Sequence, residues 1–218
     1  MGAFIFRRLI QAVVVMVSVA FVAFLLFQYV GAPVVFLLGQ DATPQQIQQL
    51  RADLGLDQPF FMQFWHFLVN AAQGEFGLSL RQGQKVSRLL GERFPATFEL
   101  AIVAAALALF VGVPMGVYAA LKRGSFMSQV FMTVSLLGVS LPTFLIGILL
   151  ILIFSVWLGW MPSFGRGETV QFGWWSSGLF TRDGWMHMIL PAITLAIFQL
   201  ALIMRLVRAE VLEVLRTD

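Results

Sequence analysis

The chain has no cysteine among its 218 residues and only two histidines. Disulfides, thiolate metal sites and cysteine nucleophiles are thereby excluded. His66 and His187 stand apart in the sequence. Neither has a partner at metal-ligand spacing or a nucleophile and carboxylate set beside it, so both are expected to be structural or interfacial. No glycine-rich phosphate loop occurs, so the chain itself is expected neither to bind nor to hydrolyse nucleotide, and no cofactor is expected. Charge is the other shortage. Asp, Glu, Lys and Arg make up 11% of the residues and hydrophobic residues 59%, whereas an ordinary globular domain is roughly a quarter charged. The net charge of +3 comes from basic residues scattered in ones and twos. That pattern gives no nucleic-acid surface, and it suits the flanks of membrane helices.

What is abundant is uninterrupted apolar sequence. Gly124 to Gly165 is a run of 42 residues without a charged side chain, and Leu9–Val30, Leu100–Leu121 and Trp185–Met204 are likewise free of charge. About 20 apolar residues cross a hydrocarbon core roughly 30 Å thick. The expectation is an all-α integral membrane protein with four transmembrane helices, near residues 9–30, 98–121, 127–160 and 186–207. A helical external segment separates the first two. The apolar stretch after Arg7 and Arg8 exceeds the 7–15 residues of a signal-peptide core and lacks a clear cleavage site, so it reads as a retained first span.

With Arg7 and Arg8 in the cytoplasm, the second span returns at Lys122 and Arg123, and the fourth at Arg205, Arg208 and Arg216. Both termini are then cytoplasmic, as the positive-inside rule asks. The third run could instead be a hairpin of two short spans, but that would place the last basic cluster outside. One long helix, kinked or tilted at Gly138, Pro142 or Gly147 and ending at Trp157 and Trp160, is the expectation. In the external segment, Thr43-Pro44-Gln45-Gln46 has a capping-box start with proline at the first helical position. That helix should run through Ile47, Leu50 and Leu54 to Gly55. The aromatic stretch Phe60 to Ala72 reads either as an interfacial helix packed on its neighbours or as a docking surface.

Few residues are candidates for function. Glu99 precedes 22 charge-free residues, and it either anchors the interface or lines a polar pathway. Pro142, Thr143 and Gln199 are the polar or kinking residues that could line or gate a pathway through the spans. Gly112, Pro114 and Gly116 mark the second span as an interior element. Beyond Met204 the last helix continues as an amphipathic extension whose Val207, Val211, Val214 and Leu215 form one stripe, which asks for a partner or a membrane surface.

A series of short elements carries a family resemblance. In order they are Phe6-Arg7-Arg8-Leu9, Asp53-Leu-Gly-Leu-Asp-Gln-Pro59, Gly74-Glu-Phe-Gly-Leu-Ser79 and Phe94-Pro-Ala-Thr-Phe-Glu-Leu100. Then come Gly112-Val-Pro-Met-Gly116, Ser140-Leu-Pro-Thr-Phe144, Gly159-Trp-Met-Pro162, Ile189-Leu-Pro-Ala192 and Arg205-Leu-Val-Arg-Ala-Glu210. Taken together they resemble the dipeptide/oligopeptide-type ABC transporter permeases over essentially the whole chain. Glu75 and Phe76 depart conservatively from the family's more frequent Asp and Leu. The resemblance implies part of a six-helix permease fold in the bacterial inner membrane, divided as residues 1–94 and 95–218. It implies no enzyme activity in this chain. The expected partners are a second permease subunit, two cytoplasmic ATPase subunits and an extracytoplasmic peptide-binding protein. Arg208, Glu213 and Arg216 would lie toward the ATPase. Family members continue past the position of Asp218 into a coupling helix and two more spans, so a C-terminally truncated chain is expected. Alternatives are a permease of this type for glutathione or a chelated metal, and a non-transporting assembly or scaffold fragment.

Overall fold

The computed structural model describes residues 1–30, 43, 45, 48, 57–79 and 81–217. The helix expected from Thr43 to Gly55 falls largely outside the described residues. The chain divides into two units, Met1–Leu90 and Gly91–Asp218.

The first unit contains α1 (Gly2–Val30) and α2 (Phe60–Ala72). At 1.5 Å per residue α1 is about 43 Å long, more than a hydrocarbon core requires. Its side chains are almost all exposed within the protein, as expected of a helix whose solvent is lipid. The aromatic stretch forms α2 and packs one face on α1. Phe21 meets Phe60 and Phe64 edge-on at centroid distances of 5.9 and 5.1 Å. Phe24 lies 5.4, 5.6 and 5.7 Å from Phe60, Phe64 and Phe67. Positions 60, 64 and 67 share one helical face, while Phe61 and Trp65 on the other side stay exposed.

The second unit holds α3 (Val86–Leu121, entered from the first unit), α4 (Phe126–Ser140), α5 (Thr143–Leu150) and α6 (Arg182–Thr217). A π-helical continuation of α5 spans Ile151–Trp157. The hairpin of β1 (Val170–Phe172) and β2 (Trp175–Ser177) precedes α6. Both α3 and α6 have 36 residues, about 54 Å of helix, so each projects well beyond the span read from its apolar core.

Small residues bind α3 to α6. A Cβ on Gly112 would lie 3.2 Å from the Ile203 side chain, and one on Gly116 would lie 2.7 Å from the Met204 carbonyl and 2.9 Å from Val207 Cβ. Ala104 and Ala108 pack with Ala196 in the same interface. This small-residue ridge at four-residue spacing lets the two backbones approach closely. The paired positions rise together along both helices, so α3 and α6 run parallel. Two parallel spans require one net crossing between them, which favours a single third span over a hairpin.

That third span is not one continuous helix. It is broken at Leu141-Pro142, where α4 and the α5/π segment are bent by 107°. Proline lacks an N–H and disfavours helical geometry at the residue before it. Leu141 is accordingly extended, with φ −87° and ψ 135°. Among the described residues three helices are long and apolar enough to cross a membrane, or four with the bent pair counted as one span. The fold is therefore that of an all-α integral membrane protein.

Candidate functional site

Among the described residues Glu99 is a heavily bonded carboxylate. Counting along α3, it lies about 33 Å from Leu121, close to one hydrocarbon thickness, so it sits at the edge of the apolar span. It is only 3% exposed. Burial of a carboxylate is tolerated when donors surround it, and the hydroxyl of Ser177 is one of them. Trp175 donates its indole N–H to Oε1 at 3.0 Å, and the backbone N–H of Gly178 donates to Oε2 at 3.1 Å. The Arg166 guanidinium lies 3.7 Å from Oε2.

Local sequence explains how these donors arrive together. Phe172 pairs with Trp175 in the antiparallel hairpin, leaving a two-residue turn. Gly173 opens that turn at φ +63°, the conformation a tight hairpin turn demands. The hairpin presents Trp175 edge-on to Phe94 and Phe98 of α3, with centroids at 6.2 and 5.7 Å. Arg166 donates to the hydroxyl of Ser176 at 2.6 Å and also to the Ser176 carbonyl. Thr181 caps α6 by accepting from the N–H of Gly184 at 3.0 Å, and its hydroxyl donates to the Glu168 carbonyl at 2.6 Å. Asp183, in the first turn of α6, accepts from the Glu168 N–H at 2.8 Å, where the helix field favours a negative group. The segment between the π-helix and α6 is thus a folded cap fastened to α3 through Glu99.

A second convergence lies at the far end of α3. The carbonyl of Ala119 is one of the helix's last four and lacks an intrahelical donor. It accepts from Ser128 Oγ of α4 at 3.3 Å and from Arg208 Nε of α6 at 3.4 Å. Ser135 Oγ of α4 also donates to the Ala201 carbonyl of α6 at 3.2 Å.

The residues singled out in the sequence are distributed rather than gathered. Glu99 lies in the cap network. Pro142 and Thr143 stand exposed at the helix break, and Gln199 is exposed on α6. Glu213 is exposed, Arg208 is half-buried and engaged with Ala119, and the described side chains of α6 stop at Leu215, before Arg216. His187 directs Nδ1 to the Asp183 carbonyl at 2.8 Å, and among the described residues no cluster of His, Asp and Glu could hold a metal. Sequence reasoning missed Arg166, Trp175, Gly178 and Ser128. Arg166 had one signal, being the sole basic residue between Arg123 and Arg182.

Comparison with known proteins matches both ends of the chain. Residues 1–101 match the family described as the N-terminal part of the binding-protein-dependent transport system membrane component. Residues 112–218 match the binding-protein-dependent transport system inner membrane component. A protein of Brucella suis biovar 1 (strain 1330), named for a peptide transport system permease, is 40% identical over 220 residues, covering 100% of this chain and 67% of its own length. A similarly named protein of Brucella abortus (strain 2308) gives the same identity and coverage. The glutathione transport system permease protein GsiC of Escherichia coli (strain K12) is 35% identical over 216 residues, covering 99% of this chain and 65% of its own length. The chain spans about two-thirds of the length of these relatives.

Proposed function

Because the chain belongs to the binding-protein-dependent transport inner-membrane component family, we propose that it is the transmembrane permease subunit of an ATP-driven importer for short peptides. It is a multi-pass protein of the bacterial inner membrane. The observation that carries the reading is the pair of family matches, which together take in nearly all of the chain and every described span. The relatives named for peptide transport, and the one named for glutathione, itself a tripeptide, support a short peptide as cargo.

A permease of this kind breaks no bond in its cargo. It alternates between packings open to either side, and partner binding shifts the population. The pathway is completed by a second permease subunit. Two cytoplasmic ATPases supply the energy, and an extracytoplasmic binding protein delivers the peptide. The Lys122, Arg123 and Arg205 end of the α3–α6 pair faces the cytoplasm by the positive-inside rule, and the Glu99 cap faces out. Pro142 and Thr143, at the break, are the gating elements in this reading, and exposed Gln199 is a polar contact on the pathway. Arg208, Glu213 and Arg216, in the last third of α6, lie toward the ATPase.

The test is reconstitution with the partner subunits in lipid vesicles. Peptide-loaded binding protein should stimulate ATP hydrolysis and drive peptide uptake. Assembly without stimulation or uptake would overturn the reading and leave a scaffold role.

A further inference from the structure

Beside the Glu99 network, the first halves of α3 and α6 flank a cleft of about 610 Å³, within the range of roughly 300–1,000 Å³ found for small-molecule sites. Arg93, Thr97 and Leu100 line it from α3, and Gly184, His187 and Pro191 from α6. Each set follows helical spacing, so two facing stripes form the walls. Arg166, fixed by the cap, closes one side.

The positive group left open to the cleft is Arg93. Arg93 is exposed and its side chain has no partner among the described residues. Arg166 spends both terminal nitrogens on Ser176 and Glu99, but its buried Nε has no partner. His187 commits Nδ1 to Asp183, and its Nε2 is unpartnered among the described residues. The wall's one acid, Glu92, already has an interaction of its own. A compact anion of small-molecule size suits this lining, and a carboxylate matches the planar fork of an arginine.

We propose that this cleft is a binding subsite for the C-terminal carboxylate of a short peptide, with Arg93 as its principal ligand. The proposal rests on the importer reading and deepens it. Arg93 grips the carboxylate, and Leu100 and Pro191 provide an apolar floor for a side chain. The Glu99 cap holds Arg166 in the wall, so cap and subsite form one unit on α3 and α6.

The chain in lipid nanodiscs would be titrated calorimetrically with dialanine and with dialanine C-terminal amide. Saturable binding of dialanine is expected, weakened about tenfold or more for the amide and in Arg93→Gln, the usual cost of losing a charge-assisted pair. Arg93 makes no side-chain bond among the described residues, so Arg93→Gln should fold normally. Arg182→Gln, which changes charge outside the cleft, should bind dialanine as the unaltered chain does. Equal binding of acid and amide, unchanged binding in Arg93→Gln, or no binding of dialanine would each overturn the subsite. If the assembled importer nevertheless shows peptide-stimulated ATP hydrolysis, only the subsite falls. If the chain binds dialanine through Arg93 but the assembly neither hydrolyses ATP in response nor transports, the subsite holds and the importer reading falls.

Discussion

Trp175 donates its indole N–H to the carboxylate of Glu99 at 3.0 Å across 76 positions of sequence. The bond turns an acid at the edge of an apolar helix from a loose interfacial anchor into the fastening of a folded cap. Gly178, Arg166 and Ser177 add to the set around the carboxylate, which is 3% exposed.

Glu99→Ala should release the cap. Its loss strips the Trp175 and Gly178 N–H groups of their acceptor, and an unpaired buried donor costs about 1–3 kcal/mol. Glu99→Gln keeps an acceptor for one N–H and should cost less. Limited trypsin digestion reads this directly, since Arg166 is tied into the cap. Cleavage after Arg166 should accelerate in the order Ala, Gln, unaltered. Equal rates would mean the cap stands without Glu99.

At the α3–α6 interface, Gly116→Ala should be destabilising by about 1–3 kcal/mol, the usual range for overpacking. Its new Cβ would sit 2.7 Å from the Met204 carbonyl and 2.9 Å from Val207 Cβ. Gly91→Ala, in the same helix, meets nothing within 4 Å. It should be neutral or stabilising by about 0.5–1 kcal/mol, through helix propensity alone. Thermal unfolding in detergent micelles would compare them, and equal melting temperatures would deny the close packing.

Pro142→Leu restores a backbone donor and frees Leu141 to become helical. Insertion should be unchanged, while transport by the assembled importer should fall severalfold. The absence of cysteine makes the geometry measurable with paired spin labels at Gln129→Cys and Val156→Cys. A continuous helix would separate these positions by about 40 Å. The 107° bend brings them to roughly 25 Å by the same rise per residue. The leucine variant should shift the distance toward the longer value. Unchanged uptake despite a straightened helix would remove Pro142 from the gating role.

Ser128→Ala and Arg208→Ala should each be mild, because the other donor still serves the Ala119 carbonyl. Each single loss should cost about 1 kcal/mol or less, but the double variant leaves an orphaned acceptor and should cost more than the sum, by about 1 kcal/mol. Chemical unfolding of the four proteins forms the cycle. Simple additivity would show that the two donors do not share one acceptor.

Several of these relationships were half-visible in the sequence. Pro142 announced a disturbance in the third run, but a kink and a right-angle turn have the same local cause. The angle depends on what α4 and α5 pack against, here α6 through Ser135, Gly138 and Gly147. Gly112 and Gly116 announced a close approach without naming the approaching helix. Arg208 read as a cytoplasmic charge lying toward a partner subunit, and its Nε in addition donates to the Ala119 carbonyl inside the chain. Its donor role required the end of α3 to be brought alongside, which no spacing in α6 records.

By itself the sequence determined which segments enter the membrane, since span length against bilayer thickness is a property of contiguous residues. It also carried the family, because short motifs persist in order along the chain. The tertiary structure decided what the isolated polar groups do. Whether Glu99 faces water, a pathway or a cap depends on donors from a hairpin 76 residues away. The parallel alignment of α3 with α6, and the cleft between their first halves, exist only once the two helices are packed. A charge in or near an apolar medium is governed by its nearest dipoles and counter-charges, and the fold alone sets which groups those are.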